Sequence, residues 1–131
     1  MAFPTESGDM CRQSAFTLVE LLVALVIVSL LLTVAVPRYS ASVDRAKEAV
    51  LKENLAVTRD AIDKFFADKG RYPESLEELV EARYLRRVPV DPIQERSDGW
   101  TLHSREASSG FDDLGSSAAG IARDGTAFRD W

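Results

Sequence analysis

Hydrophobic residues are distributed very differently in the two parts of this 131-residue chain. From Phe16 to Val36 the sequence is almost wholly apolar, and Glu20 is its one charged residue. At a helical rise of about 1.5 Å per residue, this stretch is long enough to span a bilayer. A carboxylate at the edge of such a helix costs roughly 2.5–3.5 kcal/mol on insertion. The pattern therefore predicts a membrane-spanning helix in which Glu20 is placed to meet a cation.

After Pro37 the apolar residues recur mostly at intervals of three and four, which is typical of an amphipathic helix. The predicted apolar face consists of Tyr39, Val43, Ala46, Val50, Val57, Ala61 and Phe65. Gly70 follows Lys69 at the position where a helix-ending glycine belongs, so the helix is predicted to end at Lys69. Joined to the apolar stretch it makes one long helix. A bend is expected at Pro37, because proline lacks an N–H and its ring disturbs the preceding turn.

A second, shorter helix is predicted from the sequence Ser75-Leu76-Glu77-Glu78, which reads as a capping box. In this motif the Ser75 hydroxyl accepts from the Glu78 main-chain N–H, and the Glu78 carboxylate accepts from the Ser75 N–H. The helix is expected to extend to about Tyr84. Its apolar residues, predicted to pack on the first helix, are Leu76, Leu79, Val80 and Leu85.

Strand-forming patterns begin after Asp91-Pro92. Asp98-Gly99 is typical of a turn, and residues 100–104 alternate and include large and β-branched side chains, which favours a strand. A second short strand is predicted around Gly110-Phe111-Asp112, followed by a loop from Leu114 to Gly125. The predicted fold class is α+β: a long N-terminal helix, half membrane-spanning and half amphipathic, packed on a small antiparallel β-sheet with a C-terminal loop.

Composition argues against two classes of function. The net charge of −5 and the scattered basic residues leave no basic patch for nucleic acid. The single histidine, His103, lies in a predicted strand. The sequence shows no catalytic Ser/His/Asp spacing, glycine-rich phosphate loop or paired His and Cys ligands. We therefore expect neither nucleic-acid binding nor enzyme activity.

The sequence Ala15-Phe16-Thr17-Leu18-Val19-Glu20, followed by the apolar stretch and Pro37, resembles the class III signal of type IV pilins and type II secretion pseudopilins. The resemblance implies that a prepilin peptidase cuts between Ala15 and Phe16 and methylates the new amine of Phe16. It also implies that Glu20 pairs with that amine on a neighbouring subunit during assembly. The family usually has glycine before the cut, where this chain has Ala15.

Two later segments, Asp68 to Pro73 and Val88 to Pro92, resemble the signature of the major pseudopilin, the G subunit of type II secretion systems. The lone cysteine, Cys11, would be lost with the leader, leaving no disulfide of the kind many type IV pilins contain. The implied organisation is a leader peptide over 1–15, a transmembrane and filament-core helix over 16–37, and a periplasmic pseudopilin domain over 38–131. The chain would sit in the inner membrane with a single span and enter the pseudopilus on assembly.

The resemblance also implies partners and a possible cofactor. The partners are further copies of the chain in a homopolymer, minor pseudopilins, the prepilin peptidase and the inner-membrane assembly platform. The loop after the sheet binds structural calcium (Ca2+) in major pseudopilins, and oxygen donors suit this hard cation. By position, the implied ligands here are the Leu114 carbonyl, Ser117, Asp124 and Asp130.

Several alternatives stay open on the sequence. The chain could be a pilin-like subunit of a type IV pilus or DNA-uptake filament, or a membrane-tethered periplasmic binding domain that never polymerises. A single-pass anchor without assembly and an ordinary cleaved signal do not account for Glu20. Flanking charges favour the opposite orientation, since Arg38, Arg45 and Lys47 follow the span and Arg12 precedes it. The periplasmic location therefore rests on the resemblance.

Overall fold

The computed structural model describes residues 1–2, 15–104 and 109–131, so Cys11 and Arg12 lie outside the described residues. The chain divides into two compact units, an N-terminal unit, Met1–Tyr39, and a C-terminal unit, Ser40–Trp131. The bounds of the elements are α1 Leu18–Lys69, α2 Leu76–Glu81, β1 Trp100–His103, β2 Asp113–Ser116 and a short 3-10 helix, Phe128–Asp130. This α+β content confirms the predicted fold class.

The N-terminal unit consists mainly of the first part of α1. The helix begins at Leu18 because Thr17 caps it: the Glu20 main-chain N–H donates to Thr17 Oγ1 at 3.1 Å. Pro37 lies inside α1, which continues to Lys69. Within the apolar stretch, the Ser29 and Thr33 hydroxyls donate to main-chain carbonyls four residues earlier, so neither needs water as a partner.

The predicted apolar face of the second part of α1 is largely wrong. The buried residues are Leu51, Leu55, Thr58, Ala61, Ile62 and Phe65, and only Ala61 and Phe65 belong to the predicted set. Tyr39, Val50 and Val57 are exposed. The buried positions are spaced by three and four, like the predicted ones, but lie on a neighbouring face where larger Leu and Ile side chains occur. Packing of the rest of the C-terminal unit selects that face.

The end of α1 and the start of α2 agree with their local signals. Helix α1 ends at Lys69, and Gly70 follows with a positive φ of 70°. Ser75 caps α2, and its hydroxyl accepts from the Glu78 N–H at 3.2 Å. The other half of the capping box is wrong, because the Glu78 carboxylate accepts from the Glu74 N–H at 2.7 Å. Helix α2 ends at Glu81 and not at Tyr84, since Arg83 has a positive φ of 65°.

The sheet has two antiparallel strands, with Trp100 opposite Ser116 and His103 opposite Asp113. The prediction of a second strand around residues 110–112 is wrong: the structure places it at Asp113–Ser116, and all but its first residue lie in the predicted loop. The preceding segment instead crosses to the turn after α1, where the Phe111 N–H donates to the Pro73 carbonyl at 2.9 Å. That contact between distant segments sets where the strand begins.

The core of the C-terminal unit joins one face of α1 to α2, β2 and the residues after β2. Buried members outside α1 are Leu76, Leu79, Phe111, Leu114, Ala118, Ala122 and Phe128. The predicted burial of Leu76 and Leu79 is confirmed, and Leu85 packs partly buried against the same core. Seven of the eleven buried residues that the structure describes in this core come from segments after α1, so these segments fold onto the helix instead of forming a separate layer.

Candidate functional site

The predicted assembly residues lie at the start of α1. Ala15 and Phe16 are exposed and precede the first helical residue, Leu18, so the bond between them is outside the hydrogen-bonded helix. Exposed backbone outside secondary structure is where proteolytic cleavage concentrates, and this bond lies in such a segment. Glu20 is in the first turn of α1. A carboxylate there is favoured by the helix dipole.

The Glu20 carboxylate makes no hydrogen bond or ion pair with any described residue, and its side chain is exposed. It is followed on α1 by large apolar side chains that are all at least half exposed, from Leu21 to Val36. An acid in that setting is costly in a membrane unless a cation meets it. The arrangement suits pairing with an amine supplied from outside the chain.

Helix α1 is long and apolar enough to cross a membrane, and it is the single such helix among the described residues. The most apolar 18-residue window of α1 has a mean hydropathy of 2.8 and no buried residue. Core helices of soluble proteins are mostly buried. The apolar stretch of α1 differs from them because its apolar side chains are exposed. That surface can contact lipid tails or the apolar surfaces of other helices.

The four residues implied as calcium ligands are in four different settings. Leu114 is buried in β2, and its carbonyl accepts from Arg59 Nη2 at 3.1 Å. The exposed Ser117 hydroxyl donates to the Gly99 carbonyl at 2.9 Å and accepts from Gln94 Nε2 at 2.9 Å. These two oxygens therefore already have protein partners, one of them a cation.

The two acidic members are on the surface. Asp124 Oδ1 accepts from the Thr126 N–H and hydroxyl, and these bonds, with Lys52 nearby, hold the pKa of Asp124 below its ordinary value. Asp130 lies in the 3-10 helix, 3.9 Å from Arg129 Nε. Across the described ranges, no three His, Cys, Asp or Glu side chains lie close enough together to hold a metal ion. As placed, the donor set does not fit a calcium ion, and calcium binding stays a prediction.

Two polar centres were missed by the sequence analysis. Asp91 is fully buried, and its carboxylate accepts from the Ile93 and Gln94 N–H groups and from the Ser116 hydroxyl. The Asp-Pro pair at this position is typical of an Asx turn and could have indicated it. Arg59 binds β2 and Trp131. No local signal distinguishes it from any other arginine on a helix surface.

Comparisons with known proteins identify the family of the chain. The prokaryotic N-terminal methylation motif matches residues 10–36, which contain Ala15, Phe16 and Glu20. The type II secretion system core protein G of Pseudomonas aeruginosa is 33% identical, in a match that covers 62% of this chain and 68% of that protein. This chain belongs to the core protein G family. The core protein G of Klebsiella pneumoniae is 31% identical, over 63% of this chain and 71% of that protein.

A more distant similarity reaches the pilins. The type IV major pilin protein PilA of Myxococcus xanthus is 32% identical over 52% of this chain but only 31% of its own length. No solved structure matches the chain. The resemblance to type II secretion pseudopilins and type IV pilins is confirmed, and the chain is a pilin-like protein with a single candidate membrane anchor.

Proposed function

We propose that this chain is a structural subunit of a type II secretion pseudopilus that supports protein export across the outer membrane. The observation behind the proposal is an exposed apolar stretch of α1 in a member of the core protein G family, headed by Glu20, which has no partner among the residues that the structure describes. In the membrane this surface contacts lipid. In the filament it exchanges lipid for the same surface on neighbouring subunits, without passing through water.

The chemistry at the start of α1 sets the register between subunits. Cleavage between Ala15 and Phe16 by the prepilin peptidase creates an amine, which is then methylated and stays cationic. Glu20 of the adjacent subunit accepts from this amine. In a low dielectric, leaving either charge unpaired costs far more than pairing them, so a register that brings them together is favoured over its neighbours.

The remaining partners follow from this role. They are other copies of the chain, the minor pseudopilins and the assembly platform of the inner membrane. In this proposal the C-terminal unit lies on the periplasmic side, although the basic residues that follow the span, Arg38, Arg45 and Lys47, favour the opposite orientation. Alkaline phosphatase fused after Trp131 tests this: the fusion should be active, and an inactive fusion would reverse the orientation.

The test of assembly is the substitution Glu20→Leu in the full chain. The variant should insert into the inner membrane at the wild-type level but lose sheared filaments almost completely, because the amine of the next subunit has no partner. Glu53→Leu is the matched control, since Glu53 is also an exposed acid of α1 with no partner among the described residues. It should assemble like the wild type. Normal filaments from Glu20→Leu would rule out the pairing and favour a tethered, non-polymerising domain.

Processing is tested by the intact mass of the chain extracted from membranes. We expect the loss of residues 1–15 and the gain of one methyl group. Retention of Met1 through Ala15 in a strain with an active prepilin peptidase would contradict the proposal. Replacing Ala15 with Gly, the residue usual in the family, should leave the product unchanged.

A pilus subunit is the second candidate, and the similarity to the Myxococcus xanthus pilin favours it over other functions. The two roles differ in what deletion of the chain removes. Loss of secretion of folded periplasmic proteins supports the pseudopilus. Loss of surface filaments or DNA uptake, with normal secretion, supports the pilus.

A further inference from the structure

Arg59 connects three separate parts of the C-terminal unit. Its Nε donates to Asp113 Oδ1 at 2.7 Å, and its Nη2 donates to the Leu114 carbonyl at 3.1 Å and to the Trp131 carbonyl at 2.9 Å. The partners are 54, 55 and 72 residues away along the chain. One side chain of α1 thus cross-links β2 and the residues after it.

Arg59 holds the type of ligand that a hard cation would hold. Its three acceptors are one side-chain carboxylate oxygen and the main-chain oxygens of Leu114 and Trp131, and carboxylate and main-chain oxygens are also the usual ligands of calcium. The guanidinium group supplies a permanent positive charge and several donors in a fixed plane, so it can bind all three at once. A divalent ion at the Leu114 carbonyl would lie beside this charge, and the two cations would repel each other.

A second cation of α1 contacts the same segment. Lys52 precedes Arg59 by seven residues, which is two helical turns, so both side chains project from the same face. Lys52 Nζ is 3.6 Å from Asp124 Oδ2 and lies 4.2 Å from the centre of the Trp131 ring. Lys52 therefore reaches an acid that was implied as a calcium ligand.

The segment needs such cross-links because its own burial is small. Between Ser117 and Trp131 the buried side chains are Ala118, Ala122 and Phe128, and two of these are alanines. So little apolar burial does not offset the conformational entropy lost by ordering the segment. Cross-links to a long helix reduce that deficit by fixing Asp124 and Trp131 of the segment, together with β2 that precedes it.

We propose that Arg59 and Lys52 take the place of the calcium ion that major pseudopilins bind in the loop after the sheet. These two side-chain cations fix residues 117–131 to α1, so the segment folds independently of metal. The proposal concerns the C-terminal unit alone and stands whether or not the chain polymerises. The proposal requires that calcium does not stabilise the C-terminal unit. It also requires that removing the planar guanidinium group of Arg59 speeds hydrogen exchange in residues 117–131 and not in the rest of the unit.

The first experiment measures the full chain in detergent, with millimolar calcium or with excess EGTA. Thermal unfolding followed by tryptophan fluorescence should give the same Tm in both, and calorimetric titration with calcium alone should show no binding. A calcium-dependent rise in Tm, or saturable binding, would overturn the proposal.

The second experiment measures hydrogen exchange by mass spectrometry in Arg59→Gln. Exchange in peptides covering 117–131 should become at least tenfold faster, while peptides covering α2 stay within twofold of the wild type. Arg59→Lys should be intermediate, because a lysine keeps the charge without the planar fork. Lys52→Gln should have a smaller effect in the same peptides.

Arg96→Gln is the matched control, because Arg96 also bonds a carboxylate through Nε and Nη2 but reaches only the nearby Asp98. It should leave exchange in 117–131 unchanged. Unchanged exchange in this segment in Arg59→Gln would overturn the proposal. If Arg59→Gln does not fold, Arg59→Lys and the calcium titration decide it.

Discussion

Helix α1 has two apolar regions, of which the first is exposed and the second is buried. From Leu18 to Val36 every side chain is exposed, whereas Leu51, Leu55 and Phe65 on the same helix are buried by the rest of the C-terminal unit. The apolar side chains themselves are of similar kinds in both regions, so the identity of a single Leu, Val or Phe does not show which region it belongs to. They differ in what covers the surface: the chain itself covers the later region, and lipid or other subunits must cover the earlier one. In the proposed function, the first region specifies an assembly and the second specifies a fold.

The largest expected effect comes from the buried region. Phe65→Ala removes a fully buried ring that packs edge-on against Tyr84, 5.4 Å between centroids, and should lower the free energy of unfolding of the C-terminal unit by about 3–5 kcal/mol. Phe66→Ala is the adjacent control, because the Phe66 ring is 41% exposed. It should cost about 1 kcal/mol. Chemical denaturation followed by tryptophan fluorescence measures both, and equal losses would contradict the assigned helix face.

The next effect separates the two regions directly. Val28 and Val57 are 50% and 48% exposed on the same helix, so they are nearly equal in the isolated chain. Val28→Lys should weaken membrane insertion by about 2.5–3.5 kcal/mol, because the ammonium lies near the centre of the span. Val57→Lys should leave insertion unchanged. The fraction retained in membranes after carbonate extraction is the measurement, and equal retention would show that exposure of the apolar stretch does not mark a span.

Features encoded by neighbouring residues were predicted well from the sequence. The end of α1 at Lys69 and the cap at Ser75 each depend on one or two residues and on backbone conformation. The motif around Glu20 is likewise contiguous. The family comparison confirms it as a motif, and the filament and mass measurements test the roles of Phe16 and Glu20.

Features that depend on distant contacts were not predicted. The face of α1 that is buried was predicted wrongly because two faces have apolar residues at helical spacing. Packing against α2 and β2 determines which of the two is buried. The start of β2 is fixed by the contact of Phe111 with Pro73. The role of Arg59 depends on acceptors more than 50 residues away. Local pattern has no information about such pairings.

A third substitution tests whether polar burial supports the C-terminal unit as apolar burial does. Asp91→Ala removes a buried acceptor and leaves the Ser116 hydroxyl and two N–H groups without it. The free energy of unfolding should fall by about 2–3 kcal/mol. Asp98→Ala is the control, because its ion pair with Arg96 is on the surface, and it should change little. If Asp98→Ala lowers the free energy of unfolding as much as Asp91→Ala does, burial of the carboxylate is not the cause of the destabilisation.

The smallest expected effect is the pH dependence contributed by Glu78. Its bond with Arg71, and then that with the Glu74 N–H, hold the pKa of Glu78 below its ordinary value of 4.5. Because the pKa is lower in the folded chain, the stabilisation is present above pH 4.5 and is lost as the pH falls through the folded value. The side chain is 24% exposed and Arg71 is more so, which keeps the effect small.

Glu78→Gln should therefore be less stable than the wild type at neutral pH, and the difference should shrink on acidification below pH 4.5. Glu77→Gln removes the same charge from an exposed side chain with no described hydrogen bond, so it controls for net charge. Unfolding in urea at several pH values measures the difference. The same variants should insert into membranes like the wild type, because Glu78 lies in α2 of the C-terminal unit and not in the apolar stretch of α1. A change in insertion would mean that the two regions of α1 are not independent.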